Sequence, residues 1–390
     1  MKRYFKAARV LVLWLTVFSC CSCGVEGTWK LPGGENGSLS EGSSNPAETK
    51  EAGLAEGQEG SWENRENGEK TAPWQYVDTA MGTVIRQTIY GTEETAAAFS
   101  AEVMALLTEM ESSELSWRLE SSEVYRINAA AGKKDGCALS EEMAQLLQSC
   151  MDLSEKAEGA FDVTLGPVSR LWNIDKWAAV TDGEDFKPPL PDAIREAVSL
   201  CGSSRLRLEK GVSPRIFMPE GMQLDLGAVG KGIALSRLCE LLEKQTEIAG
   251  AVISLGGSIL TWGSKPDGSV WKVGIVNPFD TASNIGILSL EGKWCISTSG
   301  DYERYVEVNG VRYHHILDPL TGCPAVSSVR GVSVLSQDGF SSDGLSTACF
   351  ILGPEKGMAL AAEYGAEVLF VMDDGEIIMS DGMKRYFKAT

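Results

Sequence analysis

The sequence predicts an α+β fold for the region from about Pro73 to Thr390, on three observations. Two stretches have the 3.6-residue period of amphipathic helices, and both lie in the first half of that region. The β-branched and aromatic runs after residue 250 follow one another as hairpins with almost no helix between them. Asn-Gly and Asp-Gly pairs, the favoured residues of two-residue hairpin turns, sit between or beside these runs. A doubly wound parallel sheet would instead alternate each strand with a helix.

In chain order, Tyr76 to Tyr90 reads as extended. Phe99, Val103, Leu106, Leu107 and Met110 share one helical face. Ser140 is placed as an N-cap, with Glu141 and Glu142 in the first turn and Met143, Leu146, Leu147, Cys150 and Met151 on the buried face. Strand-like runs follow at Ala251 to Leu255, Val270 to Val276, Ile285 to Leu290, Trp294 to Thr298 and Tyr302 to Val308, then at Val329 to Leu335 and Ala366 to Val371. Asn309-Gly310 and Asp374-Gly375 supply turns. Met383 to Ala389 repeats Met1 to Ala7 residue for residue, and nothing physical in the sequence explains it.

The first seventy residues do not read as core. Met1-Lys2-Arg3, with Lys6 and Arg9, precedes the apolar run Val10 to Phe18, which is too short for a stable membrane span. Ser19-Cys20-Cys21-Ser22-Cys23 follows, and a cysteine behind a small residue at this point resembles a bacterial lipobox. The expectation is a lipoprotein-type signal over residues 1–23, with Cys20, Cys21 or Cys23 acylated and the protein held on the extracytoplasmic face of the cell membrane. An ordinary secretory signal is the alternative. From Gly24 to Ala72, Gly, Glu, Ser and Asn dominate, with ten glutamates against four basic residues. Such a composition buries too little apolar surface to offset ordering and predicts an acidic, disordered tether over 24–72.

Formal net charge is −19, and −13 of it remains after the tether's −6 is removed. An acidic folded region argues against nucleic acid or an anionic lipid surface as the main partner. The seven cysteines beyond the leader are scattered, odd in number and never spaced C-x-x-C, which suits buried thiols better than a zinc site or a disulfide framework.

Chemistry concentrates in a few segments. His314 and His315 are the only histidines in the chain, so any neutral-pH imidazole base lies there, ahead of the turn Asp318-Pro319-Leu320-Thr321-Gly322. Two strand histidines bonded to backbone are the alternative. Gly159 to Pro167 sets Asp162 between small and β-branched residues at an expected loop-to-strand step. Leu224 to Ala234 is expected to run from a strand through Gly227, Gly230 and Gly232 into a helix with Lys231 in its first turn. That arrangement suits phosphate oxygens but lacks the Walker spacing, and simple close packing is its alternative. Ser254 to Ser258 brings a glycine pair that allows backbone approach to a ligand. In Ser341 to Phe350, Asp343 and Thr347 sit four apart on one helical face. They are hard oxygen donors suited to Mg²⁺, unless Asp343 is merely an N-cap.

In this order, the segments resemble the ApbE-type FAD:protein FMN transferases. The match runs through Met81-Gly82-Thr83, Ser113 to Trp117 with Ser122 to Asn128, Gly159 to Pro167, Asp225 to Gly232 and Gly256-Gly257, then Thr298 to Tyr302, His315 to Pro324 and Asp343 to Thr347. The resemblance implies a T-fold-like α+β architecture, FAD as substrate and Mg²⁺ on its pyrophosphate. The implied reaction is transfer of FMN to a Thr or Ser hydroxyl with release of AMP. The implied acceptor is a flavoprotein subunit of a membrane redox complex with a D-G-x-[ST]-G-A-[ST]-like site. At matching positions it implies FAD contacts at Met81, Trp117, Ala160, Phe161, Asp162, Asp225, Lys231 and Ile316. Metal ligands would be the Ala228 carbonyl, Asp343 and Thr347 with Ser346, and His315 would be the base. His314, on the opposite face of an extended strand, is expected to matter only through packing. Ser236 and Gly344 depart from the family's usual acid and alanine. An FAD pyrophosphatase yielding FMN and AMP, and a flavin-binding lipoprotein without turnover, are the alternatives.

Overall fold

A computed structural model describes residues 73–179 and 185–390. The expected leader and tether, and the Met1 to Ala7 copy of the repeat, lie outside the described residues.

The described chain opens with β1 (Pro73–Ala80) and β2 (Thr83–Tyr90), paired antiparallel with Ala80 opposite Thr83. The run expected as one extended segment is thus a hairpin, turning at Met81-Gly82, where both residues take positive φ. Its turn was hard to read because methionine is not a turn-forming residue. Helix α1 (Glu93–Glu109) follows, capped by Thr92, and passes directly into a π-helical turn at Met110–Leu115. Next come α2 (Glu123–Ala129), β3 (Cys137–Ala138) and α3 (Glu141–Lys156), where Ser140 accepts the Met143 N–H as expected of an N-cap.

Three short helices, α4 (Gly166–Trp172), α5 (Ile174–Ala178) and α6 (Pro191–Ser199), precede the small strands β4 (Arg207–Glu209) and β5 (Arg215–Phe217). Helix α7 (Gly230–Glu243) then leads to β6 (Gly250–Leu255), β7 (Ser258–Gly263), β8 (Trp271–Asn277), β9 (Asp280–Leu290) and β10 (Trp294–Gly300). The hairpin β11 (Tyr305–Val308) and β12 (Val311–His314) turns at Asn309-Gly310, and β13 (Val329–Ser336) enters α8 (Gly339–Glu363). The chain ends with β14 (Glu367–Met372), β15 (Ile377–Met379) and β16 (Phe387–Ala389). The C-terminal copy of the repeat forms a short turn and then β16.

Eight strands form one antiparallel sheet in the order β1-β2-β6-β7-β10-β13-β14-β15. Its two faces bury different partners, which explains why β6 reads as a continuous apolar run rather than an alternation. Ala251, Ile253 and Leu255 point into the main core with α1, α3, α7 and α8. Val252 and Ile259 point into a second core, under the three-stranded sheet β16-β9-β8. Each fully buried Leu or Ile contributes about 1.5–3 kcal/mol, so the helices are held chiefly by this face. A third cluster packs Val168, Trp172, Ile194 and Ala197 against Val306 and Leu317, docking α4 and α6 on the β11–β12 hairpin.

The fold is α+β, as the hairpin pattern predicts. Two local expectations differ. The segment around Asp162 enters helix α4 rather than a strand, and the chain before α7 is irregular. The two are joined by a parallel bridge between Leu165 and Gln223 and by the Asp225 N–H donating to the Val163 carbonyl at 2.8 Å. A Gly-Pro pair at the start of α4 suits a helix N-terminus, which outweighs the β-branched residues before it.

Candidate active site

Helices α7 and α8 cross in close contact, and that contact places Asp343. A Cβ at Gly232 would lie 2.3 Å from the Gly339 carbonyl oxygen and 2.5 Å from Asp343 Cβ, so only glycine allows the approach. Asp338, not Asp343, caps α8, by accepting the Ser341 N–H at 2.7 Å. Asp343 Oδ2 instead accepts the Gly232 N–H at 2.7 Å, and the residue before α7, Val229, offers no side-chain cap of its own. One helix thus caps the other, which puts a carboxylate where α7's partial positive charge is greatest. Asp343 is 5% exposed; burial raises its pKa, opposed by Lys231 and by hydrogen bonds from Gly232 and Ser258.

Behind Asp343 lies a set of buried hydroxyls. Ser258 donates to Oδ1 at 3.4 Å, Ser297 meets Ser258 and Ser342, and Ser299 meets Ser346 at 2.7 Å. Ser346 also donates to the Asp343 carbonyl, so its hydroxyl is engaged within α8 and with β10. Thr347, one turn beyond Asp343, is less buried and has one long contact, to Ser299 at 3.4 Å. The two departures from the family pattern have local causes. A Cβ at Gly344 would come 2.6 Å from Leu153 Cδ2, and Ser236 ties α7 to α8 by accepting from Gly339 N–H and meeting Asp338. Gly232→Ala should therefore lower stability by about 1–3 kcal/mol, the usual cost of overpacking. Urea unfolding of the variant and the parent checks this.

The two histidines sit in different surroundings, His314 in the core as expected and His315 partly open. His314 is 6% exposed, its Nε2 bonds the Ala325 carbonyl at 3.0 Å, and its ring meets Phe350 edge-on. It is a core anchor for the turn, with Nδ1 buried and without a partner. His315 keeps partial solvent access, with its N–H and Nδ1 both on the Arg304 carbonyl, at 3.0 and 3.2 Å. A carbonyl only accepts, so Nδ1 carries the proton and Nε2 is left as the basic nitrogen. Burial, with Arg304, His314 and Lys231 nearby, holds the His315 pKa well below the ordinary imidazole range. The charge of Lys231 disfavours the protonated form of His315 and favours the ionised form of Asp343.

The other site residues fall into two groups. Ala160, Phe161 and Ile316 are almost fully buried, and their side chains are spent on core packing. Asp162 is also committed, its carboxylate receiving N–H and O–H bonds from Thr164 and Ser203. It closes the loop ahead of α4. More open are Met81, Trp117, Asp225 and Lys231. Asp225 Oδ1 accepts the Gly227 N–H at 3.0 Å and shapes the turn into α7. Arg118 and Arg170 lie over the Trp117 ring, at 3.9 and 4.4 Å from its centroid, and Arg170 also feels the charge of Asp225.

Sequence reading did not single out Arg170, Arg304 or Ser258 as site residues. Arg170 sits two residues before Trp172 on α4, a short sequence signal that means nothing until the fold brings Trp117 alongside. Arg304 is one of three charges joined through Asp175, which pairs with Arg304 at 2.7 Å and Arg118 at 3.5 Å.

Among the described residues no three His, Cys, Asp or Glu side chains gather to form a metal cage. The residues that the resemblance implies as donors are the buried Asp343, Thr347 one turn beyond it on α8, and the carbonyl of Ala228 two residues before α7. Mg²⁺ fits such a set, since it typically takes one or two carboxylates, several waters and substrate phosphate oxygens.

A model of the ApbE family matches residues 81–370. The FAD:protein FMN transferase of Treponema pallidum (strain Nichols) is 36% identical over 326 residues, covering 79% of this chain and 86% of that protein. An FAD:protein FMN transferase of Klebsiella pneumoniae (strain 342) is 33% identical over 317 residues, covering 80% and 94%. Among solved structures, the ApbE protein of Thermotoga maritima superposes with a TM-score of 0.71 at 28% identity, over 81% of this chain and 99% of that one. The flavin transferase ApbE of Vibrio cholerae gives a TM-score of 0.69 at 28% identity, over the same shares.

Proposed function

The chain belongs to the ApbE family and is a flavin transferase, and from that premise we propose that it moves the FMN half of FAD onto a Thr or Ser hydroxyl of an acceptor flavoprotein, releasing AMP. The observation that carries this reading is the buried Asp343 bonded to the start of α7, where Lys231 lies in the first turn, together with a His315 whose tautomer the Arg304 carbonyl fixes. The acceptor oxygen forms a bond to the phosphorus of the FMN phosphate, the bridging P–O bond to AMP breaks, and the hydroxyl proton passes to His315 Nε2. Arg304's carbonyl holds the ring so that this nitrogen, and not Nδ1, is the base. Lys231, in the first turn of α7, bears on the pyrophosphate oxygens. Mg²⁺ held by Asp343, Thr347 and the Ala228 carbonyl would supply charge compensation on the pyrophosphate. A weakly solvated His315, kept neutral by its low pKa, stays ready as a base through mildly acidic pH.

The test is to incubate the purified protein with FAD, Mg²⁺ and a flavoprotein domain that has a D-G-x-[ST]-G-A-[ST]-like site, and to follow AMP release and covalent flavin fluorescence on a denaturing gel. AMP with labelled acceptor supports transfer. AMP with free FMN means that water has taken the nucleophile's place, and neither product leaves a flavin binder.

For location, the reading is a lipid-anchored protein on the extracytoplasmic face, serving a membrane redox complex. Among the described residues no helix is long and apolar enough to cross a membrane. Replacing Cys20, Cys21 and Cys23 together by Ser should move the protein from the membrane pellet to the soluble fraction, because acylation needs a thiol. Retention in the pellet would count against the anchor.

A further inference from the structure

Met81 occupies the first position of the β1–β2 turn with φ 52°, and Gly82 follows at φ 70°. A two-residue turn of this kind favours Asn or Gly at its first position, so a methionine there is held in a conformation its own backbone disfavours. The Met81 N–H donates to Glu111 Oε2 at 2.9 Å across thirty residues of sequence. Glu111 lies on the π-helical turn Met110–Leu115, an uncommon winding that concentrates at functional sites. The same turn carries Glu114, which grips Arg237 on α7 with two bonds, at 2.7 and 2.6 Å. Met81 and α7 are therefore referred to one rigid segment. On the far side, the Met81 Cε methyl lies 3.9 Å from where a Gly230 Cβ would stand, at the N-terminus of α7 beside Lys231.

We propose that Glu111 is a positioning residue for substrate binding: its carboxylate holds the strained Met81 turn so that the Met81 side chain sits over the start of α7, where the flavin nucleotide binds. The proposal rests on the reading that Met81 touches FAD. The acid on the π-turn holds a backbone shape that Met81 itself does not favour. Glu111 acts through Met81 and touches no substrate.

The experiment measures FAD affinity by flavin fluorescence, with kcat and KM for FAD, on the purified full chain and on Glu111→Ala, Glu111→Gln, Met81→Ala and the Glu111→Ala/Met81→Ala pair. Glu111→Ala should weaken FAD binding about ten-fold, the scale of one hydrogen bond to a charged group, raising KM with little change in kcat. Glu111→Gln, which keeps an accepting oxygen, should stay near the parent. In the Met81→Ala background Glu111→Ala should add no further loss, because a positioning residue has nothing left to position. Additive losses in the pair, or a Glu111→Ala protein with parental affinity, overturn the proposal. A Met81→Ala protein that binds FAD as tightly as the parent removes the reading beneath it, which is a different result.

Discussion

Asp343→Ala should lose about 10² to 10³ in turnover, the effect of removing several kcal/mol of charge stabilisation, and should lose metal-dependent FAD binding as well. Asp343 is the only carboxylate in the proposed donor set, so its removal leaves neutral oxygens against a divalent ion that gives up water reluctantly. The variant also uncaps α7, because Gly232 N–H loses its acceptor, so some stability will go with the activity. The two effects separate by titrating Mg²⁺: a merely destabilised protein regains turnover at lower temperature, whereas a protein without its ligand does not respond to added metal. Parental turnover in the variant would remove the metal assignment.

His315→Ala should cut transfer by about 10² to 10⁴, the usual worth of a positioned imidazole base, while FAD affinity changes little. The expected pH dependence follows from the low His315 pKa. The neutral, basic form is the one that works, and a lowered pKa keeps it populated as the pH falls through the range where an ordinary histidine protonates. Activity should therefore hold through about pH 6 and fail only in stronger acid, and a loss centred near pH 6.5 would count against His315 as the base. His314→Ala makes the contrast. The residue is buried and bonded to Ala325, so its removal should cost stability, by about 2–4 kcal/mol, and leave the rate per folded molecule near parental. Equal rate losses in both variants would move the base to another group.

The fold was legible where local chemistry and tertiary role agree. Ser140 reads as a cap and is one, and the Asn309-Gly310 pair reads as a hairpin and turns one. It was illegible where a residue serves a distant partner. Met81 is a poor turn former, so the β1–β2 hairpin was read as one run, and the acid that supports it lies thirty residues away. On its own segment Asp343 reads sooner as a cap for its own helix than as a ligand, because spacing alone gives no partner. The structure shows it capping a different helix, through a bond that spans 111 residues. Strand alternation separates His314 from His315 and the resemblance selects His315, but the partners that bury His314, Phe350 and Ala325, are announced by no local pattern. The candidate site itself could be read only as an ordered set of motifs, since Lys231, His315 and Asp343 lie on separate segments whose arrangement the sequence does not encode locally.

Asp343 is already satisfied by the amides at the start of α7. A carboxylate so furnished needs no cation to be tolerated in the interior, so the polypeptide can reach its mature shape before any divalent ion arrives. On the proposed metal reading, ion uptake would then be a late and reversible event, drawn from whatever the surroundings supply. Chelator should silence the protein without melting it, and readdition of Mg²⁺ should restore it without refolding.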